Sequence, residues 1–238
     1  MDFDGPLLRG RLIRRYKRFL ADVALDSGDT VTCHCPNTGS MMGCADPGLT
    51  VWLSRSDNGK RKYPLGWELV ETAEGALVGI HTGRANALVA EALESGHPEQ
   101  LSGYTKMRRE VSVPGEHMRA DYLLSAHEGG APQCFVEVKN VTAAVSGGVA
   151  LFPDAVSDRG SRHLQVLSRL ARAGGRAALV YCVQRDDVTE VRPADAIDPA
   201  YGRHLRAAMA AGVEVYALGA VVSPRRIQLV RCVPVVCP

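Results

Sequence analysis

The chain of 238 residues has no apolar run that approaches the roughly 18 residues needed for a membrane-spanning helix. Its first ten residues contain no apolar signal core, so we expect a cytoplasmic protein with no membrane partner. The seven cysteines are odd in number and irregularly spaced, which argues against a disulfide framework. Neither Gly-x-x-x-x-Gly-Lys nor Gly-x-Gly-x-x-Gly occurs, so the sequence indicates neither an ATP site nor an NAD site.

Lysine is also scarce, because only 5 of the 28 basic residues are lysine. One of them, Lys139, follows Glu137 in an apolar segment, and strand alternation would place both side chains on one face. Asp121 lies on the preceding apolar segment, and a hairpin could set the two carboxylates side by side. Carboxylates of this kind suit Mg²⁺ or Mn²⁺, while a lysine can orient water or stabilise developing negative charge. The spacing alone is weak evidence, since about 0.5 acid-x-Lys matches are expected by chance.

A third carboxylate, Glu91, lies in the middle of the preceding predicted helix. The candidate catalytic residues are therefore Asp121, Glu137, Lys139 and Glu91, and the three acids among them are the candidate metal ligands. A zinc cluster is a weaker alternative. Structural zinc sites usually have two pairs of ligands, each at short spacing, whereas this sequence has Cys-x-Cys and a lone third cysteine. The residues that would form it are Cys33, His34, Cys35 and Cys44.

Positive charge is concentrated near the N-terminus, although the net charge is only +2. Six of the ten basic residues in positions 1–82 lie between Arg9 and Arg18, in a segment that contains no acid. Basic side chains follow a phosphate backbone and aromatic rings offer stacking faces, so this segment is a candidate nucleic-acid interface. The alternative is a solvated strand face whose aromatic residues belong to the core. The candidate contacts are Arg11, Arg14, Arg15, Tyr16, Lys17 and Arg18.

Turn-forming residues divide the first 80 positions into five short strands, which predicts an OB-like barrel. These strands are Gly10–Val23, Thr30–His34, Leu49–Ser54, Trp67–Thr72 and Ala76–His81. Helical and strand patterns alternate after His81, which predicts an α/β domain. Its predicted helices are Ala85–Glu94, Ser157–Ala173 and Pro199–Ala211, and its predicted strands are Tyr104–Val113, Asp121–Ser125, Cys134–Val138, Ala177–Val183, Val213–Leu218 and Ile227–Val230. We predict domains over 1–82 and 83–238, with a flexible loop at 145–148.

The predicted helix Ser157–Ala173 begins with Arg159, Arg162 and His163, while Leu164, Leu167 and Leu170 form its apolar stripe. A helix N-terminus adds amide donors and positive potential, so these three residues are candidate phosphate contacts. The alternative is an amphipathic helix with a solvated basic face.

The order of Glu91 on a helix, Asp121 on a strand and Glu137-x-Lys139 on the next strand resembles the PD-(D/E)xK nuclease core. Ala120, rather than proline, precedes Asp121. More specifically, the whole chain resembles the sugar fermentation stimulation protein A (SfsA) family in four segments, His34–Met41, Glu137–Thr142, Phe152–Ala155 and Arg159–Leu164.

This resemblance implies an OB-like domain followed by a nuclease-like domain, with DNA binding linked to regulation of sugar catabolism. It also implies a designated role for Asn37 in the loop 37–40, which is either DNA contact or docking against the second domain. A bare turn would explain the same residues through backbone conformation alone.

Two functions remain open at this point. The first is a metal-dependent DNA endonuclease that uses Mg²⁺ or Mn²⁺, and the second is a non-catalytic DNA-binding regulator that uses the nuclease fold as a platform. The joint presence of Asp121, Glu137 and Lys139 favours the first. In either case the expected partner is DNA, bound with little sequence specificity, and a homodimer is compatible with the sequence.

Overall fold

The structure is a computed structural model that describes residues 1–144 and 146–238, so Val145, the start of the predicted loop 145–148, lies outside it. The first six strands are β1 (Leu8–Tyr16), β2 (Leu20–Leu25), β3 (Thr30–His34), β4 (Thr50–Arg55), β5 (Leu65–Glu71) and β6 (Leu77–Gly79). They form one sheet in the order β3-β2-β1-β4-β5-β6. Strand β3 also pairs with β5 through His34 and Gly66, which closes β1 to β5 into a barrel. The predicted OB-like barrel is therefore confirmed.

The first predicted strand, Gly10–Val23, is wrong as a single element, because the chain reverses within it. Strands β1 and β2 are antiparallel neighbours, and the turn between them holds Lys17 at φ 50° and Arg18 at φ 64°. Neither residue is a usual turn former, so nothing in the local sequence marks the reversal. Because the predicted first strand is in fact two strands, β1 and β2, the barrel still has five strands. Strand β6, predicted as a barrel strand, instead extends the sheet beyond β5.

The second part of the chain is the predicted α/β domain. Its strands are β7 (Tyr104–Ser112), β8 (Arg119–His127), β9 (Cys134–Val141), β10 (Val149–Phe152), β11 (Arg176–Val183), β12 (Glu190–Pro193), β13 (Glu214–Val222) and β14 (Ile227–Val233), and its helices are α1 (Ala85–Glu94), α2 (Asp158–Arg172) and α3 (Pro199–Ala210). The main sheet has the order β14-β13-β11-β9-β8-β7. Strands β9, β11 and β13 are parallel to one another, and the outer strands run antiparallel. The short pair β10 and β12 was not predicted.

The helices cover the two faces of this sheet, as the alternation of its strands requires. Leu88 and Val89 of α1 pack with Tyr122 and Val136 on one face. The other face packs against α2 and α3 through side chains that include Leu164, Leu167, Tyr201 and Leu205. No helix among the described residues is long and apolar enough to cross a membrane. Strand β9 therefore lies inside the sheet, between β8 and β11, with helices packed on both faces.

The barrel packs directly against the second domain. Trp52 and Leu69 of the barrel belong to the same apolar cluster as α1 and the main sheet. Buried Glu68 of β5 accepts two hydrogen bonds from Arg84, just before α1, at 2.6 and 2.7 Å. The N-terminal residues also lie on the second domain, where the amide of Phe3 donates to the carbonyl of Arg225. These contacts join the two parts across an apolar and ionic interface.

Candidate functional site

Strands β8 and β9 stop pairing where the candidate acids lie. Their ladder runs from Leu124 opposite Cys134 to Tyr122 opposite Val136. Beyond it, the Asp121 carboxylate replaces a backbone acceptor, because its Oδ2 accepts a hydrogen bond from the amide of Val138 at 2.7 Å. The carboxylate of Asp121 is thereby fixed beside the Glu137–Lys139 segment. The structure brings these three predicted residues together.

Glu137 is buried, with its side chain 4% exposed, and its two oxygens have different surroundings. Oε1 lies 2.6 Å from Lys139 Nζ and 2.5 Å from His163 Nδ1. Oε2 is buried and accepts no hydrogen bond from any described residue. Burial raises the pKa of Glu137, but the hydrogen bond from His163 and the charge of Lys139 outweigh it and lower the pKa. The carboxylate is therefore held ionised with one oxygen free.

Asp121 receives its second hydrogen bond from a residue that the sequence did not single out. Asn86 Nδ2, in the first turn of α1, donates to Asp121 Oδ1 at 2.8 Å, and the carbonyl of Asn86 accepts from the hydroxyl of Tyr122. Burial, followed by the charge of Glu137, raises the pKa of Asp121. The two acids therefore repel each other across a partly buried site.

Glu91 is not part of this site, so its prediction as third carboxylate requires correction. Its Oε2 lies 2.6 Å from the N-terminal amine, which also donates to the carbonyl of Ile227 at the start of β14. Glu91 lies five residues beyond Asn86, which is about 140° around the helix axis, so α1 cannot present both to Asp121. No three His, Cys, Asp or Glu side chains of the described residues are grouped so as to hold a metal ion.

His163 also has a different place from the one predicted. The sequence predicts a phosphate contact at this position, but the His163 side chain is only 11% exposed and both ring nitrogens have partners. Nδ1 contacts Glu137, and Nε2 accepts from Arg159 Nε at 3.3 Å. The helix stripe that buries Leu164 and Leu167 also turns His163 toward β9. In the sequence, the position of His163 directly before the apolar stripe was the one sign that its side chain would be buried.

Arg159 and Arg162 are exposed, and they line a groove of about 570 Å³ beside His163. The opposite wall is formed by the turn between β7 and β8 and by Arg119, the first residue of β8, which contributes a third exposed guanidinium. Arg169 and Glu116 cross the groove with a bidentate ion pair at 2.6 and 2.7 Å. The groove thus presents positive charge beside His163, whose buried ring contacts Glu137.

The basic segment at the N-terminus is largely engaged within the barrel. Arg14 pairs with Asp22 at 2.8 Å and lies over the ring of Tyr16, whose hydroxyl also donates to Asp22. Arg11 donates to the carbonyl of Gly48 at 3.2 Å. Lys17 is exposed at the tip of the first hairpin. Most of this predicted interface therefore forms contacts within the protein, although its outer face stays accessible.

Arg15 and Arg18 bind the loop 37–40 instead of projecting freely. Arg15 Nη2 donates to the carbonyls of Asn37 and Gly39 at 2.8 and 2.9 Å. Arg18 donates to the carbonyl of Thr38 through both Nε and Nη2. These bonds fix a loop that otherwise lacks regular structure, while Arg18 also remains exposed to solvent.

Asn37, predicted as a nucleic-acid contact, is buried and docks the loop against the second domain. Its Oδ1 accepts from the amide of Gly39 at 2.9 Å, and its Nδ2 lies 3.5 Å from Thr142 Oγ1. Asp154 Oδ2 accepts from the hydroxyl of Ser40 in the same loop and from the amide of Met41 just after it, each at 3.4 Å. Of the two roles left open for Asn37, these contacts favour docking. A cleft of about 250 Å³ lies between the loop and the second domain.

Gly39→Ala should weaken this docking, since a methyl group at Gly39 would overlap the Asp154 carboxylate. We expect the free energy of unfolding to fall by about 1 kcal/mol, because the Asp154 carboxylate must turn away and lose its contacts with Ser40 and Met41. Urea titration followed by circular dichroism measures the change. Gly59→Ala, where the added methyl meets open space, is the matched control. Equal stability of the two variants would contradict a tight contact between Gly39 and Asp154.

Comparisons with known proteins agree with this architecture. Residues 13–80 match the SfsA N-terminal OB domain, and residues 83–226 match the sugar fermentation stimulation protein RE domain. A sugar fermentation stimulation protein homolog from Alkalilimnicola ehrlichii is 66% identical over 100% of both chains. Another, from Halorhodospira halophila, is 62% identical over 92% of this chain and 90% of that protein.

A solved structure shows the same fold. The structure of Pyrococcus furiosus SfsA in complex with Ca²⁺ has a TM-score of 0.86 and 28% sequence identity, and the match covers 99% of this chain and 97% of that one. Both domains are therefore matched in order and over nearly their whole length. On these grounds the chain belongs to the sugar fermentation stimulation protein (SfsA) family.

Proposed function

We propose that the protein is a DNA-binding, divalent-cation-dependent phosphodiesterase whose site is formed by Asp121, Glu137 and Lys139. The observation that carries this proposal is the buried Oε2 of Glu137, which has no partner among the described residues, on the strand whose Val138 amide also holds the Asp121 carboxylate. Burying an acceptor without a partner costs free energy, so such an atom calls for an ordered water molecule or an ion beside it. A cation would satisfy Oε2 and relieve the repulsion between the two acids.

The residues present fit Mg²⁺ or Mn²⁺. Such ions take one or two carboxylates from the protein and complete their coordination with water and phosphate oxygens. Asp121 and Glu137 would supply those carboxylates, and Asn86 would fix the orientation of Asp121. When bound, the ion would polarise a phosphodiester and lower the pKa of a coordinated water. The relative from Pyrococcus furiosus is described in complex with Ca²⁺, which supports a cation-binding function for this fold.

Lys139 supplies the positive charge of the site. Its side chain is 13% exposed, and Nζ lies 2.6 Å from Glu137 Oε1, which fixes the position of the ammonium group. An ammonium ion has three donors, so those not used by Glu137 remain for a phosphate oxygen or a water molecule. In this position Lys139 would stabilise the negative charge that develops on the phosphate as the bond breaks.

The groove between α2 and the turn before β8 is the proposed path of the DNA backbone. Its exposed guanidinium groups, Arg119, Arg159 and Arg162, lie beside His163 and therefore next to Glu137. Contacts of this kind reach phosphates and carry no base information, so we propose binding with little sequence specificity. Lys17 and the outer face of Arg14 would add contacts from the barrel.

Replacing Arg119 and Arg162 together with alanine should weaken DNA binding and flatten its salt dependence. Each phosphate that the protein no longer neutralises reduces the slope of log K against log salt by about 0.9, so the slope of the double variant should fall by about 1.8. Fluorescence anisotropy over a series of salt concentrations measures this slope. Arg55→Ala combined with Arg61→Ala removes the same charge from exposed barrel positions and should leave the slope unchanged. Equal slopes for both double variants would exclude the groove as the binding path.

A direct test of the proposed activity combines calorimetry with cleavage assays. The wild-type protein should bind Mn²⁺ at millimolar concentration or below, and it should cleave single-stranded or duplex DNA only in its presence. Absence of binding with DNA present would overturn the catalytic proposal.

The second candidate function is a non-catalytic DNA-binding regulator. It is favoured by the absence of a third acid at the site among the described residues, because α1 presents Asn86 where an acid was expected. The name of the relatives, which refers to stimulation of sugar fermentation, fits a regulatory role in sugar catabolism. DNA binding without cation binding or cleavage would support this function.

A further inference from the structure

We propose that His163 is a positioning residue for Glu137, an inference that rests on the proposed cation site. By binding Oε1 of Glu137, His163 keeps Oε2 free for the cation. It acts through another side chain and does not itself contact phosphate or metal. This role replaces the phosphate contact expected from its position at the start of a basic helix.

The contact geometry assigns the hydrogen-bond direction at the imidazole ring. Arg159 Nε can only donate, and it lies 3.3 Å from His163 Nε2, so Nε2 is the acceptor. In the neutral ring the proton is then on Nδ1, which donates to Glu137 Oε1 at 2.5 Å. Arg159 is one helical turn before His163, so α2 itself fixes the ring and its tautomer.

The consequence for Glu137 is that one of its oxygens is saturated. Oε1 receives donors from two sides, Lys139 on its own strand and His163 on the helix that covers the sheet. Rotation of the carboxylate would break both bonds inside a site from which water is largely excluded. Oε2 is therefore the oxygen left available, in agreement with its lack of a partner among the described residues.

The burial of His163 distinguishes its positioning role from a role in phosphate binding. The His163 side chain is 11% exposed and both ring nitrogens are already engaged, whereas Arg159 and Arg162 are exposed on the same helix turn. A ligand-orienting residue one shell away from a metal commonly affects metal affinity by about 10–100-fold. His163 should therefore affect cation affinity in the absence of DNA, which a phosphate contact would not.

Three substitutions test the proposal by their Mn²⁺ affinity, measured by calorimetry on DNA-free protein. His163→Leu keeps bulk but removes the donor, and it should weaken Mn²⁺ binding by about 10–100-fold. His163→Asn places an amide N–H near the position of Nδ1 and should recover much of that loss. His163→Gln extends its amide toward the position of Nε2 and should bind Mn²⁺ almost as weakly as His163→Leu.

Urea unfolding of the cation-free variants serves as the structural control, because a purely structural role predicts affinities that follow stability and not the position of the donor. If His163→Leu does not fold, the comparison of His163→Asn with His163→Gln still decides. Equal affinities of these two variants, or wild-type affinity in His163→Leu, would overturn the role of His163. Failure of the wild type to bind Mn²⁺ would instead overturn the proposed function on which this role rests.

Discussion

Asp121→Asn should leave the protein folded while it abolishes both cation-dependent stabilisation and DNA cleavage. The substitution keeps the shape of the side chain but removes one of the two charges proposed to hold the cation. We expect cleavage to fall by about a thousandfold or more, which corresponds to about 4 kcal/mol of lost transition-state stabilisation. Melting curves across a series of Mn²⁺ concentrations should show the logarithmic rise of stability in the wild type only.

Glu91→Gln is the matched control for Asp121→Asn, because it also neutralises an acid that the sequence placed in the site. In the structure Glu91 contacts the N-terminal amine and not Asp121. Glu91→Gln should therefore keep both the Mn²⁺-dependent shift in melting temperature and the cleavage rate. Loss of cation binding in Glu91→Gln, or its retention in Asp121→Asn, would contradict the assignment of the site.

Asp121 and Glu91 show which part of the candidate site the sequence could predict. Alternation along β9 and one acid on the preceding strand were enough to predict that Asp121, Glu137 and Lys139 lie together, as they do in the structure. The helix α1 has the predicted bounds, but it packs against both the centre of the sheet and β14. Its sequence does not show which face meets β8, so the pattern of acids indicates Glu91 although the residue in contact with Asp121 is Asn86.

The basic N-terminal segment illustrates a different limit. A run of arginines indicates positive charge, but the sequence cannot show which carbonyls and carboxylates the fold will place beside them. Here the unmarked reversal at Lys17 and Arg18 creates a hairpin and brings Arg15 and Arg18 to the loop 37–40. The groove of the second domain contains an exposed guanidinium group that the sequence does not predict, that of Arg119.

The four segments that resemble the SfsA family meet in space at two connected places. Glu137 and Lys139 of the second segment meet His163 of the fourth at the candidate site. Asn37 of the first segment meets Thr142 of the second, and Asp154 of the third lies against the same loop. Because Lys139 and Thr142 are three residues apart at the end of β9, docking of the barrel and placement of the site depend on the same strand. The barrel therefore packs against the same strand that carries Glu137 and Lys139 of the candidate site.

Glu68→Ala should cause a larger loss of stability than Gly39→Ala, the other substitution at the domain interface. The Glu68 side chain is 2% exposed and accepts hydrogen bonds from Arg84 and from Ser54 Oγ, the latter at 2.7 Å. Removing it leaves the Arg84 guanidinium without a counter-charge next to the ring of Phe3. We expect a loss of about 3–5 kcal/mol, or a fall in melting temperature of about 6–20 °C. Thermal unfolding followed by circular dichroism measures it.

Glu116→Ala is the matched control, since Arg169 binds Glu116 with the same bidentate geometry and the same distances as Arg84 binds Glu68. The two ion pairs differ in their exposure to solvent, since the Arg169 side chain is 53% exposed and that of Arg84 is 21% exposed. Water replaces the missing carboxylate at Arg169, so the stability of Glu116→Ala should change only slightly. Comparable losses in both variants would show that burial does not set the strength of the Glu68–Arg84 pair. A much larger loss in Glu68→Ala, with the barrel melting separately from the second domain, would identify this pair as the ionic link that couples the two domains.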